Sequence, residues 1–300
     1  MDIEKTIKLG SPSLLLYHHP HTLASLAARL CIEIGKSAHP DATAHIIQIE
    51  VVLDENGNLP LEYLNTNSSG AVPALIRPPP ETAISSSIDI VDYFAQRDFP
   101  SLIPTAHMDE IEPLLRKREI FEQDILLLTY SRTPLESYPL IGDIVSQVRE
   151  QSFRGNYEYQ VALPKKLKLE RDDIHHAFVF PELHQAEDRI KSFFAKLYMI
   201  RLRHKKAGSI WLFGTQHGTA LDAHAAVLIH RLLDITRVEM MPTELLWWAL
   251  PIFRSPMWQE ISKGKDTMGW DGTESLRDKM TVSDTDGASN LQMKEKSRAE

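Results

Sequence analysis

The chain has 300 residues, 43% of them hydrophobic and 25% charged, with a formal net charge of −8 at neutral pH. That length favours two domains, the composition supplies ordinary water-soluble cores, and the negative balance argues against a dedicated nucleic-acid binder, which needs a clustered positive surface. One cysteine, Cys31, excludes an internal disulfide framework and a cysteine-built structural zinc site, and no apolar run approaches the roughly 20 residues of a membrane span.

The first residues include Asp2, Glu4, Lys5 and Lys8 and lack the basic-then-apolar pattern of a secretory signal, so a reducing, cytoplasmic compartment is expected. Ser13 to Tyr17 is a short apolar run that reads as a buried strand. Leu23 to Ile34 reads as a helix, with Leu26, Leu30 and Ile34 at four-residue spacing. Ala44 to Leu53 is rich in Ile and Val and reads as a second strand, stopped by the turn chemistry of Glu55-Asn56-Gly57-Asn58. A short helix over Leu59 to Tyr63 follows, then a strand over Val72 to Ile76. Three prolines at 78–80 then force a turn before a further strand at Thr82 to Ser85. Ser87 to Gln96 is again helical, with Ile88, Val91 and Ala95 on one face. Strands and helices alternating at this spacing define an α/β layer with a partly parallel sheet.

From about Thr105 the pattern changes to long helices: Glu110 to Tyr130, Leu183 to Leu202, Thr219 to Ile235, and another from Pro242. Residues 130–180 are less regular and read as an extended crossing. After about Lys263 the chain is polar and charged, which predicts a disordered tail. The division is therefore 1–104, 105–262 and a tail over 263–300. Basic clusters at 165–168 and 201–206 carry no interleaved aromatics and read as solvated surface.

Three local features carry the chemistry. Asn67 to Leu75 is a loop running into a strand, with Pro73 placed where a missing ladder donor does no harm. Ser86 and Ser87 precede an apolar-periodic run, which is an N-cap signal and also a place where a helix offers spare donors to a carboxylate. Trp211-Leu212-Phe213-Gly214 leads to Thr219 and Asp222, an Asp variant of the capping box.

In this order and spacing, residues 14–35, 67–75, 86–94 and 211–224 resemble the cytosolic glutathione transferase family, in a divergent, fungal-type form. The resemblance implies a thioredoxin-like N-terminal domain followed by an all-helical C-terminal domain. It also implies glutathione as co-substrate. Val72, before a cis-Pro73, would pair with the cysteinyl backbone of the tripeptide. Ser87 matches the serine that receives the γ-glutamyl carboxylate. Ser86 stands where the family usually has Glu or Gln.

The thiolate must be supported by a donor near the start of the first helix. Thr22, Ser25 and Tyr17 are the candidates, in that order, with helix capping the competing role for Thr22. No cysteine occupies the matching position, and Cys31 reads as core. His18, His19 and His21 have no carboxylate or cysteine at a familiar ligand spacing, so no metal is expected. Trp247 and Trp248 read as core. The implied activity is transfer of glutathione to an apolar electrophile, as in fungal natural-product pathways, by a homodimer with neither nucleic-acid nor membrane partners. The rival reading is a non-catalytic binding or regulatory protein on the same fold.

Overall fold

The computed structural model describes residues 13–51, 61–67, 70–77, 83–131 and 180–267. Most of the expected crossing over 130–180, the Glu55–Asn58 and triple-proline turns, and the tail beyond 267 lie outside them.

The N-terminal layer is built on β1 (Leu14–His18), α1 (Leu23–Ala38), β2 (Ile46–Glu50), α2 (Leu61–Thr66), β3 (Ala74–Ile76) and α3 (Ser87–Arg97). The sheet order is β2-β1-β3. β2 runs parallel to β1 with Leu14 opposite Ile46, and β3 runs antiparallel with Leu16 opposite Leu75. The expected strand at 82–85 is reduced to a single bridge between Ile84 and Leu75. Alternation along β1 sends Leu14 and Leu16 into the main core, while Tyr17 joins Val51, Tyr63, Leu64 and Ala74 in a smaller cluster on the other face. This is a thioredoxin-like layer.

α1 is buried on nearly every side because it packs against α3 within its own layer and against helices of the second domain. Gly35 is placed where a Cβ would lie 2.4 Å from the Phe99 ring, so only glycine lets the end of α1 approach that side chain. Cys31 is buried in α1 as expected, and burial pushes its thiol pKa well up, which leaves an inert sulfur.

The helical part comprises α4 (Met108–Leu115), α5 (Ile125–Ser131), α6 (Phe180–His204), α7 (Ala220–Asp234), α8 (Thr243–Phe253) and α9 (Pro256–Ser262). The single helix expected over 110–130 is broken. α4 ends at Leu115, and a π-helical turn, Ile120–Asp124, precedes α5. The break falls where Arg116 pairs with Asp92 and Arg118 with Asp89, so two ion pairs to α3 hold the intervening turn. Downstream, Asp124 is buried and takes a two-pronged bond from Arg189 of α6 at 2.8 and 2.6 Å.

The capping box at α7 is complete: Thr219 Oγ1 accepts from the Asp222 N–H, and Asp222 Oδ2 accepts from the Thr219 N–H. Trp248 is core, whereas Trp247 faces outward at 59% exposure, so the expected core pair is split. The packed chain continues past 262 to Thr267, which is buried and donates from its N–H and hydroxyl to Asp234 at 2.8 and 2.5 Å. Among the described residues, no helix is long and apolar enough to cross a membrane.

Candidate functional site

The start of α3 lies against the second domain. Ser86 holds the N-cap position in an extended conformation, yet makes no side-chain cap bond. Its hydroxyl instead accepts from Arg118 at 3.1 Å. Ser87 is buried, with its Oγ 3.3 Å from Nε2 of His224 on α7. The tautomer follows from the other ring nitrogen. Nδ1 lies 2.9 Å from the Ala220 carbonyl, which can only accept, so Nδ1 carries the proton and Nε2 accepts from Ser87. Burial lowers the His224 pKa to about 4 and keeps the ring neutral. The local capping rule thus fails for both serines, because side chains from the helical domain claim their hydroxyls.

At the start of α1, Thr22 is the N-cap but likewise makes no cap bond. Its hydroxyl donates to Ser25 Oγ at 2.7 Å, and the same oxygen accepts from the His19 N–H at 3.2 Å. Ser25 is fully buried and staples the β1–α1 turn. His21 Nδ1 lies 3.1 Å from the Asp266 carbonyl, so the end of the described chain rests on this turn. Tyr17 points to the opposite sheet face, its ring centroid 5.0 Å from that of Tyr63. Val72 packs into the same small cluster as Tyr17, and the Val72–Pro73 peptide bond is cis. Buried His18 closes β1; burial, with Arg29 nearby, lowers its pKa to about 3.

A small cleft with a cavity volume of about 20 Å³ lies between the layer and the helices. Leu23, Ala24 and Ala27 of α1 form one wall and Val227 and Leu228 of α7 the other. Ser87, Phe121, Glu122 and His224 complete the lining. The π-helical turn supplies Phe121 and Glu122, with the Phe121 ring edge-on to His224 at 5.3 Å. Ser87 is thus the predicted site residue that reaches this cleft; Thr22, Ser25, Tyr17, Val72, Pro73 and Ser86 are not part of its lining. The geometry offers a hydroxyl beside the unpaired N–H groups of a helix start, facing an otherwise largely apolar space.

Sequence reasoning missed His224, Phe121 and Glu122. A helical histidine among apolar neighbours reads as core, and a one-turn π segment has no compositional signature. His224 stood in the matched stretch 211–224, which was the one available signal.

No family model matches the sequence, and no curated protein matches it. Solved structures do. A glutathione S-transferase from Actinobacillus pleuropneumoniae aligns over 88% of this chain and 98% of its own, at a TM-score of 0.50 and 11% identity. A diazinon-metabolizing glutathione S-transferase of the silkworm Bombyx mori aligns over 84% and 96%, at a TM-score of 0.49 and 15% identity. A theta-class glutathione S-transferase from Xanthomonas axonopodis pv. citri, solved with glutathione bound, aligns over 83% and 97%, at 0.48 and 16%. The first of these likenesses defines the fold: a thioredoxin-like layer followed by a helical domain, as in glutathione transferases.

Proposed function

We propose that the protein is a glutathione transferase-like enzyme that holds glutathione against the start of α3 and attacks an apolar electrophile with its sulfur. The observation that carries this reading is Ser87. It sits at the positive end of an 11-residue helix and opens on a cleft whose α1 and α7 walls are apolar. In this reading the Ser87 hydroxyl turns from His224 to donate to the γ-glutamyl carboxylate, and the backbone of Val72 pairs with the cysteinyl unit. Ser86, with no charge of its own, adds a hydroxyl beside the γ-glutamyl group.

The sulfur reaches toward the N-terminus of α1, a 16-residue helix whose dipole favours an anion there. Thr22, half-buried at that end, donates to the thiolate once its proton turns from Ser25. Ser25 holds the turn behind it, and Tyr17 is the remaining hydroxyl near the strand end. The thiol proton leaves to solvent, the sulfur lone pair forms the new C–S bond, and the electrophile either accepts the addition or expels its leaving group. The same reading takes the protein as a cytoplasmic homodimer whose electrophile comes from secondary metabolism, on the strength of the sequence resemblance.

One observation favours a second reading, a non-catalytic binding or regulatory protein. The Thr22 hydroxyl already donates to a buried oxygen and lies outside the lining of the cleft. Turnover separates the two. With glutathione and an activated aryl chloride, the wild type should form the thioether, and Thr22→Ala should lower kcat/KM about 100-fold, the scale of losing one donor to a developing anion. Wild-type protein that binds glutathione but conjugates nothing across a panel of electrophiles would establish the second reading.

A further inference from the structure

We propose that His107, Glu110 and His204 form a binding site for a divalent cation of the zinc type, placed where the chain crosses into the helical domain. The three residues each offer one ligand atom, and these atoms all lie within 4.8 Å of one another. His204 Nε2 is already 2.8 Å from Glu110 Oε1. A tetrahedral zinc ion with bonds of about 2.0–2.1 Å sets its ligand atoms about 3.4 Å apart. Closing on the ion would therefore take shifts of the ligand atoms on the order of 1 Å. Two imidazoles and one carboxylate suit zinc better than magnesium or calcium, which favour oxygen ligands, and they leave a fourth position for water.

The surroundings hold these side chains in place. His107 ends the 3₁₀ turn Thr105–His107, and Glu110 follows one helical turn later in α4. His204 ends α6, so an ion would tie the domain crossing to the far end of the longest described helix. The Phe213 ring stacks on His107 at 4.6 Å and lies 5.4 Å from the His204 ring. Phe213 reaches that position because Gly214 adopts φ +63°, where a Cβ would strike the His204 carbonyl at 2.3 Å. Arg201 fixes the same turn by donating to the carbonyl oxygens of Trp211 and Ser209 at 2.6 and 3.2 Å. Arg203 pairs with Glu110 Oε2, which leaves Oε1 turned toward His204. None of the three residues lines the cleft, so this site stands apart from the glutathione reading.

The test is calorimetric titration of the chelator-stripped full-length protein with Zn²⁺, paired with Co²⁺ absorption to report a tetrahedral ligand field. The expected result is one ion per chain, weakened at least about 10-fold in Glu110→Gln and in His204→Gln. The double variant His19→Gln/His21→Gln should bind as the wild type does. Saturable binding that survives both Glu110→Gln and His204→Gln, binding lost with the His19/His21 pair instead, or no saturable binding at all would overturn the proposal. If His204→Gln fails to fold, Glu110→Gln decides alone, with its fold checked by circular dichroism.

Discussion

Replacing Asp222 with alanine is expected to remove about 4 kcal/mol of stability, enough to lower the Tm by about 10 °C. The side chain is fully buried and serves three donors at once: the Leu212 N–H at 2.7 Å, the Thr219 N–H at 2.8 Å and the Thr219 hydroxyl at 2.6 Å. Alanine would leave two buried backbone donors and a hydroxyl without acceptors, at about 1–3 kcal/mol for each stranded group. It would also remove one half of the α7 cap. The Leu212 bond also anchors the Trp211–Gly214 turn to α7, so two elements loosen together. Chemical denaturation of Asp222→Ala beside Asp188→Ala, an exposed carboxylate on α6, checks this. The control should stay within about 0.5 kcal/mol of the wild type. A loss below about 1 kcal/mol for Asp222→Ala would contradict the assignment.

Acidification supplies the second large effect. His18 and His224 are both buried neutral, the first with its pKa lowered to about 3 and the second to about 4. In the unfolded chain both titrate near about 6.5. Between those values the unfolded state binds more protons than the folded state, so stability falls as pH drops below about 6.5. His224 alone accounts for about 3 kcal/mol by pH 4, and His18 adds loss in the same direction down to about pH 3. Asp234 separates from this window. Although burial opposes it, Asp234 is held below its ordinary pKa by bonds from His230 and Thr267, so its contribution disappears only as pH falls through that lowered value. Urea midpoints at pH 7 and pH 5 measure the histidine effect. It should shrink in His18→Gln and again in His18→Gln/His224→Gln. Equal stability of the wild type at the two pH values would show that the rings are not held neutral.

What the sequence disclosed was local or periodic. The apolar run at 13–17, the four-residue spacing of Leu26, Leu30 and Ile34, and the three-residue spacing of Thr219 and Asp222 each encode an element through near neighbours. The structure places β1, α1 and the α7 cap accordingly. What stayed hidden depends on distant partners. Ser86 and Ser87 carry the local signature of caps, but their hydroxyls go to Arg118, 32 positions away, and to His224, 137 positions away. The break in the helix expected at 110–130 coincides with ion pairs to α3, which helical periodicity cannot register.

The same limit applies to the cleft. Ser87 was legible as a residue at a helix start, but its neighbours Phe121, Glu122 and His224 come from segments that show no sequence relation to it. The cluster of His107, Glu110 and His204 was invisible for the same reason, since His204 and Glu110 lie 94 positions apart. The histidines that looked closest to a metal motif, at 18, 19 and 21, are instead tied into the β1–α1 turn or buried at the end of β1.

The most direct measurement is calorimetric titration of reduced glutathione into the wild type and into Ser87→Ala at neutral pH. Saturable binding by the wild type and at least tenfold weaker binding by the variant, about 1.4 kcal/mol, are expected, with the fold unchanged by circular dichroism. No binding to the wild type at millimolar glutathione, or equal binding by both proteins, would contradict the placement of the tripeptide at the start of α3.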